Sequence, residues 1–108
     1  MSELLLRQAR TDFNRLLERE GVSILVIPQK TELKPINSKC FFVPNALESP
    51  AASYNRKLTG KHHEVTLAVD LMKGYQPVNE DQVTVDEHTY TVNGVEYPEE
   101  MKIVLAVR

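Results

Sequence analysis

The sequence predicts an α+β fold that is mostly β: one N-terminal helix followed by a small antiparallel β-sandwich or barrel of about six strands. Three observations carry this reading. Apolar residues recur at helical spacing only within the first twenty positions. From Val22 onward they recur at every second residue in short runs. Proline, glycine and acidic turn residues separate those runs.

The helix spans Ser2 to Glu20. Leu5, Ala9, Phe13, Leu16 and Leu17 share one face, with Arg7, Arg10, Asp12, Arg15, Glu18 and Arg19 mostly off it. Ser2 suits the N-cap and Gly21 the stop. Leu4 and Leu6 widen the apolar surface, so the helix either packs on two sides or docks its start onto a partner. A first strand, Val22 to Ile27, ends at Pro28. A second lies within Pro35 to Val43, centred on Cys40, Phe41, Phe42 and Val43 and closed by Pro44. Glu64 to Asp70 alternates, with Val65, Leu67 and Val69 on one face. Leu71 to Gln76 is a connector containing Gly74.

The clearest pattern is C-terminal. Val83 and Val85 alternate with polar residues, as do Tyr90 and Val92, giving a hairpin. Its turn near Asp86-Glu87-His88 lacks glycine, which predicts a connection of roughly three to five residues rather than a tight primed turn. Asn93-Gly94 offers a bulge or bend. Ile103, Leu105 and Val107 form a final strand.

Residues 45–63 differ in kind. Pro50, Ala51, Ala52, Ser53, Asn55 and Gly60 break any period, and a long structureless connection is functional or disordered more often than not. Its second half is basic: Arg56, Lys57 and Lys61, then His62 and His63. A solvated loop and a segment that orders on a partner both fit.

The chain has 108 residues, 42% hydrophobic and 26% charged, which fits a single domain at 1–108: a helix at 1–20 and a β domain at 22–108, with the loop at 45–63. A net charge of −2 and a pI near 5.9 argue against a dedicated nucleic-acid binder. The single cysteine, Cys40, permits neither an intrachain disulfide nor a cysteine-based zinc site. It suits a reducing, intracellular place of synthesis and reads as a small buried hydrophobe. No apolar run approaches the roughly 20 residues of a membrane span. Arg7 and Arg10 interrupt Leu4–Leu6 and no basic stretch precedes them, so a secretory signal is not expected.

Chemistry is sparse. His62 and His63 are neighbours on a strand and point to opposite faces, and His88 lies elsewhere, so no metal site is expected. No phosphate-cradling glycine loop or nucleophile elbow is present in the sequence. Glu80, Asp81, Asp86, Glu87, Glu96, Glu99 and Glu100 sit at predicted turns and read as solvated loop charges, or as an acidic rim for a basic partner. Neither an enzyme nor a cofactor is expected. The partner-binding candidates are Leu4, Leu6, Arg56, Lys57, Lys61 and His62.

The stretch Asp81 to Arg108 resembles the head–tail joining (connector or stopper) proteins of long-tailed bacteriophages, the lambda-type joining family. Gln82-Val83-Thr84-Val85, Thr89-Tyr90-Thr91-Val92, Pro98-Glu99-Glu100 and Ile103-Val104-Leu105 occupy the places of its two-strand unit, polar loop and last strand. Glu80-Asp81 stands where members often have Gly-Asp. The upstream order is also similar: a helix bearing Phe13, a strand at Val22–Ile27, Phe42-Val43-Pro44, and a long loop before Glu64. The resemblance implies a virion-neck protein, assembled in the bacterial host cytoplasm. It would bind the portal or adaptor protein above and the tail terminator or tail-tube proteins below. It would form a ring close to DNA, with no dedicated nucleic-acid site and no membrane. An unrelated β-sandwich interaction adaptor, or a nucleic-acid-binding β-barrel module, is the alternative.

Overall fold

A computed structural model describes residues 3–46 and 62–108. Its elements are α1 (Glu3–Glu20), β1 (Val22–Ile27), β2 (Ile36–Ala46), β3 (His62–Ala68), a 3-10 turn (Val69–Met72), β4 (Gln82–Val85), β5 (His88–Glu99) and β6 (Lys102–Val107). The strands form a closed antiparallel barrel in the order β1-β2-β3-β6-β5-β4, with β4 pairing back onto β1. It is built as two meanders, β1-β2-β3 and β4-β5-β6, joined where β3 meets β6 and where β4 meets β1. The α+β expectation holds, and closure selects the barrel over the sandwich.

Alternation explains the core. Ile24 and Val26, Val65 and Leu67, Val83 and Val85, and Ile103, Leu105 and Val107 all point inward and are nearly or fully buried. Cys40 and Val92 complete the ring of strands, and Met72 enters from the 3-10 turn. Val104 and Ala106, of opposite parity on β6, are buried as a separate patch. β6 is therefore covered on both faces.

Bulges let these strands curve. Val43 pairs with Glu64 but Ala46 with His62, so β2 carries one extra residue around Pro44. Pro44 was expected to close β2; instead the strand continues, because a bulge is where a residue without an N–H fits. On β5 the register shifts at Asn93-Gly94, as the sequence suggests, and again around Tyr97-Pro98. The first half of β5 pairs with β4 and the second with β6.

Two local expectations are corrected. The helix face that meets the barrel is Leu6, Ala9, Arg10, Phe13, Asn14 and Leu17, all half-buried or buried, while Leu5 is 61% and Leu16 40% exposed. Polar contacts rotate the helix. Asn14 Nδ2 donates to Asp70 Oδ2 at 2.9 Å, and Arg10 Nε lies 3.5 Å from the same oxygen. Phe13 packs edge-on to Phe41 at 6.4 Å, with Lys102 Nζ 5.1 Å from its ring centre. The β4–β5 turn is also tighter than expected. Val85 pairs with His88, leaving Asp86 and Glu87 as its two central residues, both at positive φ (52° and 68°). Positive φ at both is the signature of a primed turn, formed here without glycine or asparagine.

Asp81 closes the barrel. It is fully buried at the entry to β4. Its Oδ1 accepts the Gln29 N–H at 2.8 Å, and its Oδ2 accepts the Val78 N–H at 3.0 Å and the Tyr75 hydroxyl. Its main chain pairs with Val78 and Val92. This overturns its reading as a solvated loop charge. Glu96 is also half-buried, whereas Glu80, Asp86, Glu87, Glu99 and Glu100 are exposed.

Gly21 stops the helix for a reason of space. A Cβ there would press into the Leu17 carbonyl and lie 2.9 Å from that of Cys40. Gly21→Ala is expected to cost about 1–3 kcal/mol, read as a lower urea midpoint at unchanged slope. Asp86→Asn with Glu87→Gly relieves the turn and is expected to raise stability by roughly 1 kcal/mol. Asp81→Ala strands three donors and should cost about 3 kcal/mol. Asp81→Asn sets its NH2 against either the Gln29 or the Val78 N–H and should recover less than half of that loss, whereas Tyr75→Phe should cost about 1 kcal/mol.

Candidate interaction surface at the barrel rim

The antiparallel order gathers specific chain ends at one mouth of the barrel. β1, β3 and β5 start there, and β2, β4 and β6 end there. The rim thus holds the α1–β1 joint at Gly21, the two ends of the segment 47–61, the Asp86-Glu87 turn and Arg108. Val22 and Val43 expose 48% of their surface here, which is high for β-branched residues.

An aromatic cluster stiffens this mouth. The Phe42 and His63 rings stack at 5.4 Å, and Tyr90 lies 5.6 Å from Phe42 and 5.0 Å from His63. His88 stacks on Tyr90 at 6.4 Å, and its Nδ1–H donates to the Asp86 carbonyl at 3.0 Å. The rings pack on one another, so they join β2, β3 and β5 rather than standing apart as a base-stacking platform.

Beside the rim, the outer face of β1 is the floor of an open groove of about 780 Å³. Leu25 and Ser23 from β1 and Lys39 from β2 form the base. Glu18 of α1 borders one side, and Asp86 and Glu87 of the turn border the other. A second hollow of about 660 Å³ continues toward the rim past Val22, Phe41 and Val43. Among the described residues, the carboxylates of Glu18, Asp86 and Glu87 make no ion pair and no hydrogen bond. Lys39 Nζ is 3.4 Å from Ser23 Oγ, and Asp70 is engaged by Arg10 and Asn14.

The sequence-derived candidates fall in three places. Leu4 is 76% exposed at the start of α1, whereas Leu6 is half-buried on the docked face. The backbone of His62 opens β3, opposite Ala46. Arg56, Lys57 and Lys61, with most of the 45–63 loop, lie outside the described residues. Of the groove carboxylates, Asp86 and Glu87 were read among the acidic turn residues, as solvated charges or an acidic rim, whereas Glu18 and the exposed Val22 and Val43 were not singled out. The signal for the first is two adjacent acids in a two-residue turn; the second needs to know where β1 and β2 end. Among the described residues no cluster of three potential metal ligands occurs, and no helix is long and apolar enough to cross a membrane.

No protein-family model matches the chain, and no curated protein matches it significantly.

Cys40 belongs to the core rather than to any site: it is fully buried, and burial pushes its thiol from 9.0 up to about 12. Burial, then the hydrogen bond from its hydroxyl to Asp81, raises the Tyr75 phenol above its ordinary 10.0. Both groups have folded-state values above their unfolded ones. Their contribution is therefore intact below about pH 9 and declines as the thiol's unfolded form ionises, then further above pH 10. Urea midpoints should be flat from pH 7 to 9 and fall beyond. Cys40→Ala should lower the neutral midpoint by leaving a small cavity but flatten the first part of the alkaline decline.

Proposed function

We propose that this chain is a structural virion-assembly protein of a long-tailed bacteriophage. It binds at the portal or adaptor of the filled head and joins it, as a ring, to the tail terminator or tail-tube proteins in the virion neck. One observation carries the reading: residues 81–108, on which the resemblance rests, fold as one continuous meander, β4-β5-β6, that forms half of the barrel. The resemblance rests also on the order of elements before it, a helix followed by three strands. The arrangement suits assembly work. A closed barrel has few free strand edges to template uncontrolled association. It leaves contact to side chains on its faces and to segments at its rim. Leu4 and Leu5 at the exposed start of α1, and Val22 and Val43 at the rim, offer apolar anchors on separate parts of the surface. A head-to-tail ring needs two such different patches on each copy.

The basic residues Arg56, Lys57 and Lys61 are the assigned contacts, with Leu4 and His62 as further candidates. Reversing Arg56, Lys57 and Lys61 to Glu should abolish the joining of purified heads to purified tails, scored by electron microscopy, while the thermal melt stays within a few degrees of wild type. Joining at the wild-type level with that variant would remove the segment from the reading. Heads and tails that join equally well without any of the protein would remove the reading itself.

A further inference from the structure

The smaller hollow at the rim is a notch in the barrel wall. The last β1 partner of β2 is at Cys40, but β2 runs on to Ala46 with only β3 paired beside it. The backbone directions in this stretch follow from the ladder. Thr91 and Arg108 exchange both main-chain hydrogen bonds. In antiparallel strands each residue turns its N–H and C=O to one side, and successive residues alternate. Carried from β6 through β3, this turns Phe41 and Val43 toward β3, and Cys40 and Phe42 away from it. The Cys40 carbonyl agrees, since it lies against Gly21 on the β1 side. Cys40 has Val22 opposite it. Phe42 has no strand there, so among the described residues its N–H and C=O face the notch without a partner.

A donor and an acceptor on one open strand edge are matched by another extended backbone. The walls of the notch state what that backbone should carry. Val22, Phe41 and Val43 give it carbon surface, with both valines half exposed. Its charged lining residues, Glu20 and Asp86, are both acidic. Glu20 has Arg19 at 3.2 Å, while the Asp86 carboxylate makes no ion pair among the described residues. We propose that the notch receives an extended, basic segment of a partner protein. The segment adds as a strand beside β2 at Phe42, in line with β1, and presents apolar side chains at every second position. The proposal does not depend on the neck reading, because edge, carbon surface and charge are properties of the barrel alone.

The test uses the full-length protein and a fluorescent synthetic peptide in which valine and threonine alternate between terminal lysines. Fluorescence polarisation should show saturable binding with a Kd below about 1 mM, weakening as salt is raised. N-methylation of alternate peptide amides should abolish binding in one phase and spare it in the other, because only every second N–H faces β2. Val43→Lys should weaken binding roughly tenfold with the thermal melt within a few degrees of wild type. Amide hydrogen exchange, read residue by residue by NMR, locates the strand. In the free protein the Phe42 amide should exchange roughly tenfold faster than those of Phe41 and Val43, and the peptide should slow it to their level. No saturation, equal effects of the two methylation phases, unchanged affinity of Val43→Lys, or a bound peptide that leaves Phe42 exchange unchanged overturns the proposal. Two further outcomes also overturn it. A Phe42 amide already slow in dilute free protein means that the chain covers its own edge. One that slows only as the protein is concentrated means that a second copy does.

Discussion

The barrel depends on how one short strand is held. β4 has four residues, yet it must pair with β1 on one side and β5 on the other to close the sheet. Four residues of ladder are a weak clamp on their own. Asp81 supplements it from the position just before the strand. Its carboxylate takes the N–H beyond the end of β1, an N–H three residues upstream and the Tyr75 hydroxyl, while its main chain engages β5. A buried carboxylate is costly unless its lone pairs are satisfied, and here three donors converge on it. The result ties the β3–β4 crossover to both neighbours of β4 at once.

The two ends of the barrel are closed by different contacts. At the end where β4 begins, backbone groups are satisfied by capping contacts: Val69 N–H to the Met101 carbonyl, Tyr75 N–H to the Met72 carbonyl and Ser38 Oγ–H to the Leu71 carbonyl. At the opposite rim, the chain accepts a left-handed Asp86-Glu87 turn, exposed valines and unpaired carboxylates. Non-glycine residues at positive φ occur at both ends, Lys73 and Glu80 before β4 and Asp86 and Glu87 after it, so backbone strain by itself does not single out the rim surface. The stacked Phe42, His63 and Tyr90 rings stiffen the strands that carry that surface.

The strands were legible because burial in a closed barrel imposes a period of two, and Val65/Leu67, Val83/Val85 and Ile103/Leu105/Val107 obey it. Gly94 marked its bulge correctly. Other features depend on partners distant in the chain. The helix face turned on Asp70, which lies 56 residues from Asn14, so the alignment of Leu5 and Leu16 in sequence was no guide to which side docks. Asp81 resembled its acidic neighbours, because nothing local distinguishes a carboxylate that meets Gln29, 52 residues away, from one that meets water. Pro44 looked terminal because a bulge requires a neighbouring strand to define it. Of the proposed interaction surface, the start of α1 and the basic run were visible in the sequence. The groove was not, since α1, β1 and the β4–β5 turn meet only in space.

By itself, then, the sequence determined one helix, six strands, a buried thiol and an apolar alternation strong enough to require a packed antiparallel β structure. The tertiary structure alone decided that the sheet closes, that Asp81 is the latch and that Glu18, Asp86 and Glu87 border one groove. The physical reason is range. Side-chain period is a local property of the backbone, whereas closure, latch and groove are set by contacts between residues dozens of positions apart, each of which is ordinary until its partner is known.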